Sequence, residues 1–404
     1  MVSLSFPFGV TLFLAVIGFF AGRAKATSSV NGNFRLLQAL PKAYGQTVLF
    51  STLIPASLLL FGWAFVVRIL GPDFAVLPDV VFQGLVIAIA TIGAGVSYHL
   101  IKPSQRARAI SERWIMGLLI AASALAIVTT IGIVLSMLSE SANFFRQHSW
   151  TDFFLGAVWA PNFRGGSELS ILPLLWGTLY ISLISLIVAV PIGLFAAIYL
   201  SEYAGTRLRS VAKPAIEILA GIPTIVYGLF ALITVGPMLR DFFAQPLGIG
   251  GSSSSVMTAG LVMGVMLIPF VSSLSDDIIN AVPQAMRDGS LGLGATKSET
   301  IRQVVVPAAL PGIVGAVLLA GSRAIGETMI VVLGAGAAAR FDLNPFEAMT
   351  TVTVKIVSQL TGDTDFASPE TLVAFALGLS LFVITLGLNI VALVIVRKYR
   401  EQYE

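Results

Sequence analysis

Two charged residues stand four apart in the run Ser322-Arg323-Ala324-Ile325-Gly326-Glu327-Thr328, inside an otherwise apolar stretch. On one continuous helix that spacing puts both on the same face, close enough to pair. A charge at mid-bilayer costs at least ~2.5–3.5 kcal/mol on insertion scales, so a charged pair there marks a functional site by default. Arg323 suits an oxyanion, because its planar fork donates two parallel hydrogen bonds to two oxygens. Glu327 suits a protonated oxyanion, from which it accepts a hydrogen bond, and it holds Arg323 when the anion is absent. Ser322 and Thr328 complete the candidate path. The competing reading is a structural salt bridge that fixes the rotation of the helix.

A second polar stretch, 276–307, separates two apolar runs. Read as helices, 276–287 and 297–305 carry charges on one side and Ile, Val and Met on the other, and the Gly-rich link 289–294 lets the chain turn between them. Such a piece lies flat at the inner membrane face and fits a partner protein. The plainer alternative is an ordinary amphipathic loop. Within it, 292–298 superficially matches a phosphate-binding loop, but that pattern ends in Gly-Lys-Ser/Thr. Thr296 precedes Lys297, and no Gly-Lys pair occurs in the chain, so any nucleotide is bound by another subunit.

These residues sit in a chain of 404 residues that is 56% hydrophobic and 11% charged, with mean hydropathy +0.91. Soluble domains carry roughly 25% charged residues, so this is an integral membrane protein. The net charge of +3 does not point to nucleic acid; it follows from basic residues kept at the cytoplasmic face. There is no cysteine, which excludes disulfides and thiol or Cys-metal chemistry. His99 and His148 lie far apart and read as interfacial or loop residues, and no metal site is expected.

Nine runs meet the length of roughly 20 apolar residues that a spanning helix needs: about 5–21, 46–70, 80–101, 114–138, 173–200, 221–243, 256–275, 308–333 and 371–396. The first has basic residues after it (Arg23, Lys25) and none before it, the reverse of a signal peptide. It therefore reads as an anchor with its N-terminus outside, although Ala24-Lys25-Ala26 resembles a cleavage site. With that orientation, segments 22–45, 102–113, 201–220, 276–307 and the tail from Arg397 hold 17 of the 24 Lys and Arg residues. The outer loops are nearly free of them: 71–79 has none and 139–172 has Arg146 and Arg164. This fits the positive-inside rule with the C-terminus in the cytoplasm.

The chain divides near 113 into an N-terminal extension, 1–113, with about three spans, and a block of six, 114–404. Segment 345–360 shows helical spacing and reads as either a re-entrant or an external interfacial helix. Gly250–Ser255 reads as a flexible outer link. Asp342, Asp363 and Asp365 read as solvated. Pro223 opens the sixth span, and Tyr227 ranks low as a path residue. Gly312, Gly315, Ala316, Ala320 and Gly321 allow close helix approach around Arg323.

Several stretches carry a family resemblance. Asp288-Gly289-Ser290, then Gly294, then Val304-Val305-Val306-Pro307 resemble the EAA loop of the binding-protein-dependent ABC importer permeases, although Asp-Gly-Ser departs from Glu-Ala-Ala. Leu200-Ser201-Glu202-Tyr203, Gly221 to Phe230, and Arg323 to Met329 are similar to the PstC-type permease subunit of phosphate ABC transporters. Coverage is about 114–400. The resemblance implies an all-α fold of about nine transmembrane helices, six forming a type I importer permease. It implies a subunit that is not itself an enzyme, forming half of the phosphate path in the bacterial inner membrane. It further implies a sister permease subunit, two ATP-binding subunits that use the ATP, and a periplasmic phosphate-binding protein. Asp288, Gly289, Ser290, Gly294 and Pro307 would then form the ATPase-coupling loop, and Arg323 and Glu327 match the family's intramembrane charged pair. Alternatives are a permease for sulfate, molybdate or tungstate, a proton-coupled secondary carrier with Glu327 as relay, and a scaffold for a phosphate-sensing kinase.

Overall fold

The computed structural model describes residues 5–71, 78–162, 166–362 and 368–400; Arg164, Asp363 and Asp365 lie outside them. Among the described residues, nine helices are long and apolar enough to cross a membrane. The chain forms two compact units, Met1–Ile131 and Gly132–Glu404.

The first unit holds α1 (Ser5–Ser28), α2 (Pro41–Leu70), α3 (Asp79–His99) and the start of α4 (Ala107–Gln147). Small residues set the packing: a Cβ on Gly18 or Gly22 of α1 would strike Val48 of α2. The Lys25 ammonium donates to the Tyr98 carbonyl at 2.8 Å.

The second unit is built on α6 (Leu172–Ile198) and α10 (Val256–Ala281). Gly193 of α6 abuts Val271, while Gly260 and Gly264 of α10 abut Ile184 and Val188, so the two backbones approach closely. A buried cluster including Met263, Leu267, Ala320 and Ile330 fills this seam. A two-stranded antiparallel clip, β1 (Trp159–Ala160) with β2 (Glu168–Leu169), follows the short α5 (Trp150–Leu155). Beyond α6 come a π-helical turn (Tyr199–Tyr203), the amphipathic α7 (Thr206–Gly221), then α8 (Thr224–Phe230) and α9 (Gly236–Leu239). Pro223 caps α8, as its place before a helix dictates. Tyr227 is buried and donates to the Leu219 carbonyl at 2.8 Å, which makes it a packing residue.

Two expectations change here. The 250–255 link is tied down: Ser255 is buried and caps α10 by accepting from the Thr258 N–H at 3.2 Å, and Ser253 accepts from Arg240 at 2.9 Å. Asp342 is half-buried; its carboxylate accepts the Asn344 N–H at 2.9 Å, an Asx turn.

Candidate functional site

The eighth span is not one helix. α13 (Val306–Ile325) stops at Gly326, and a six-residue α14 (Met329–Gly334) resumes after Thr328. Glu327 stands in the interruption: its carboxylate accepts the Met329 N–H at 3.2 Å, covering the start of α14, where a negative group is favoured. The expected Arg323–Glu327 ion pair is therefore not made, because the helical register that would align them ends between them. Ion pairs among the described residues join other groups. The Arg323 guanidinium instead lies 5.9 Å from the Phe270 ring centroid, a cation–π contact. Its five N–H donors have no hydrogen-bond partner among the described residues. Arg323 is exposed on the isolated chain, with Ser322, Glu327 and Thr328 half-buried around it. Gly321 abuts Leu186 at the middle of α6, and Phe270 is at the middle of α10, so the free fork stands level with the middle of both helices. Non-helical backbone at that depth is tolerated where it lines a cavity or is covered by protein.

What holds the break is the segment that the sequence left between two readings. Residues 335–351 fold back without helix, and α15 (Val352–Gly362) follows. Eleven residues rise about 16 Å, too short to span. The fold-back is anchored on the start of α6. Trp176 donates to the Asp342 carbonyl at 2.9 Å, Tyr180 to that of Leu343 at 2.7 Å, and the Val352 N–H to the Thr178 hydroxyl at 3.0 Å. Met349 to Thr353 are buried. The Thr353 hydroxyl donates to the Glu327 carbonyl at 2.9 Å, fastening α15 to the break. The segment thus packs on the end of α6 remote from its π-helical turn and reaches the break; of the expected helical stretch 345–360, only the part from Val352 is helical. Neither Thr353 nor Phe270 was marked by sequence; the cluster Thr350-Thr351-Val352-Thr353 in an apolar segment was the available signal. Lys355, two residues on, donates to the Ala337 carbonyl at 3.2 Å.

At the opposite end lies the polar elbow. α10 ends at Ala281, so 276–287 is not one helix. α11 (Gln284–Gly292) begins after Pro283 and takes in most of the expected Gly-rich link. The turn is only 293–296. Gly294 has φ +89°, and the Gly294 and Ala295 N–H groups donate to Leu291 and Ser290 at 3.0 and 3.2 Å, a Schellman ending. Thr296 then caps α12 (Lys297–Thr300) in a capping box with Glu299. A π-helical turn (Ile301–Val305) leads into α13, where Pro307 occupies the first turn and needs no N–H partner. Asp288, Gly289, Ser290 and Gly294 thus share the elbow, with Ser290 bonded to Thr300 at 2.9 Å, whereas Pro307 belongs to the start of the span. Leu291 and Leu293 are exposed at the tip, Leu293 to 92%.

The elbow is bolted to the spans by charges that sequence did not connect. Arg287 meets Glu202 at 3.1 Å and the carbonyls of Ile279 and Val282 at 2.7 and 2.5 Å. Ser201 bonds Asn280 at 3.2 Å, and Lys297 lies 5.3 Å from the Tyr203 ring centroid. The buried Asp276 receives Arg209 at 3.0 Å and Lys213 at 2.7 Å, which fixes α7 to α10. The Asp276 hydrogen bond raises the Lys213 pKa above its usual value. Among the described residues no cluster of three metal-ligating side chains occurs.

A family model described as the inner membrane component of binding-protein-dependent transport systems matches residues 189–401. A second, described as phosphate ATP-binding cassette transporter, matches residues 10–88. The phosphate transport system permease protein PstC of Mesorhizobium japonicum is 32% identical over 284 residues, 66% of this chain and 84% of that protein. PstC 1 of Mycobacterium tuberculosis is 37% identical over 252 residues, 58% of this chain and 74% of that one. The probable ABC transporter permease protein YqgH of Bacillus subtilis is 32% identical over 234 residues, 58% of this chain and 74% of its own length.

Proposed function

The chain belongs to the family of binding-protein-dependent transport system inner membrane components, and on that footing we propose that it is the permease subunit of an ATP-driven phosphate importer. It is a multi-pass membrane protein and a transport component rather than an enzyme. The observation that carries the reading is the free guanidinium of Arg323 beside a break in the eighth span. Among the described residues no protein group answers its five donors, and an oxyanion with two oxygens toward the fork satisfies them bidentately. Glu327 covers the start of α14, and its carboxyl group accepts from the hydroxyl that a protonated phosphate carries and a sulfate lacks.

The elbow supplies the coupling. Its exposed Leu291 and Leu293 dock on an ATP-binding subunit, and Gly294 shapes that contact. The Glu202–Arg287 and Asp276 clasps pass the motion of the docked subunit to α6, α7 and α10. The spans then rock and expose Arg323 to one side and then the other, with the bias supplied by ATP and by differential affinity for the anion. This working cycle includes a sister permease, two ATP-binding subunits and a periplasmic phosphate-binding protein. It places the N-terminus outside and residues 1–113 as an extension to the permease block 114–404.

The deciding experiment is uptake of labelled phosphate into vesicles holding the full complex, with ATP inside or absent and sulfate in excess. ATP-dependent uptake that ignores sulfate supports the reading. Uptake without ATP would point to a secondary carrier, and suppression by sulfate to another oxyanion.

A further inference from the structure

We propose that Lys355 is a second anion-binding residue of the path, meeting the oxyanion between the α6 start and the break and passing it to Arg323. The inference rests on the import reading above and adds a residue to it. α15 begins beside Thr178, two turns into α6, and its Thr353 hydroxyl reaches the Glu327 carbonyl. Lys355 lies two residues further along the same short helix, which precedes α16 (Pro369–Arg400).

Its surroundings are those of a cation waiting for a charge. Its one hydrogen-bond partner is the uncharged Ala337 carbonyl, at 3.2 Å. Among the described residues no carboxylate stands within ion-pair range of it. The other basic residue of the fold-back, Arg340, shows the contrast, being paired with Glu347 at 2.9 Å. Lys355 is also half-buried, and the flanking Val352, Val354, Ile356 and Val357 are apolar. A partly buried ammonium without a counter-ion costs free energy that an apolar residue would avoid. Arg323, likewise, has no hydrogen-bond or ion-pair partner among the described residues. Two unneutralised cations in series give a mobile anion successive stations, and conduction favours several weak sites over one tight one. The side chains divide the task by chemistry: the flexible lysine stem follows an arriving anion, while the planar arginine fork orients it.

Because the chain has no cysteine, Lys355→Cys introduces a single thiol into it. Phosphate uptake is measured in vesicles holding the full complex, with the permease carrying either residue. Removing a charged hydrogen-bond donor is expected to lower the uptake rate about tenfold. Treatment with 2-aminoethyl methanethiosulfonate forms a mixed disulfide that ends in an ammonium, and is expected to restore most of the rate. Methyl methanethiosulfonate, which adds no charge, is expected to restore none. Unmodified chains treated with either reagent serve as controls. Wild-type uptake at full rate by Lys355→Cys, or equal rescue by both reagents, would overturn the role of Lys355 alone. Absence of ATP-driven phosphate uptake by the wild type would overturn the import reading and this residue's role with it.

Discussion

The elbow at 282–305 and the break at 326–328 both interrupt a membrane helix with polar groups, yet they are finished to different degrees. In the elbow the groups that fix its shape are answered within the chain: a Schellman ending, a capping box, and Arg287 shared among a carboxylate and two carbonyls. In the break the backbone is answered, by Glu327 and Thr353, but the Arg323 fork is not. A region completed internally behaves as a rigid part that transmits force. A region with donors left over is completed by something that comes and goes. Substitutions in the elbow and its clasps should therefore damage stability or assembly, and substitutions in the break should damage transport.

Arg323→Gln tests the contrast most severely. Loss of a charged hydrogen-bonding partner, worth up to ~3 kcal/mol, should lower phosphate uptake by about a hundredfold. Co-purification of the ATP-binding subunit should stay at the wild-type level; a parallel loss of assembly would erase the distinction. Asp276→Ala comes next. It strands Arg209 and Lys213 beside a vacated buried site, and breaking a fully buried pair costs 3–5 kcal/mol. Because both cations are 32% exposed, solvent should cut the cost to about 2 kcal/mol. The check is a lower thermal midpoint for the complex, with Asp276→Asn recovering part of it.

Gly294→Ala should cost about 1–2 kcal/mol, since an L-residue is strained at φ +89°. Yield of bound ATP-binding subunit should fall roughly tenfold, while Gly294→Asn, which tolerates this region, should retain most of it. Thr353→Val is the mildest. It removes one neutral hydrogen bond of about 1 kcal/mol, so uptake should drop about fivefold with assembly unchanged, and Thr353→Ser should restore it. Uptake unchanged in Thr353→Val would mean that α15 does not hold the break.

The sequence made the spans legible because length and apolarity alone decide membrane insertion, and the Gly294 turn because glycine spacing is local. The break was not legible. Apolar residues continue at helical intervals through Ile325, Met329 and Ile330, so periodicity reads straight across Gly326. The capping role of Glu327 depends on a two-residue backbone contact that competes with the helix and leaves no mark in composition. The clasps were hidden for another reason. Glu202 and Arg287 are 85 positions apart, and Arg209 and Asp276 are 67 apart, and each alone resembles a solvated charge at a span end. Of the expected path residues, Arg323 and Glu327 stand at one break, but as an open fork and a helix cap rather than as a pair.

The glycine seam between α6 and α10 has a consequence for anyone who watches this transporter move. Where Gly193, Gly260 and Gly264 receive Val271, Ile184 and Val188 of the facing helix, the side chains seat in notches rather than slide, and the two helices travel as one strut. Spin labels placed on α6 and α10 should report one narrow distance distribution in every nucleotide state.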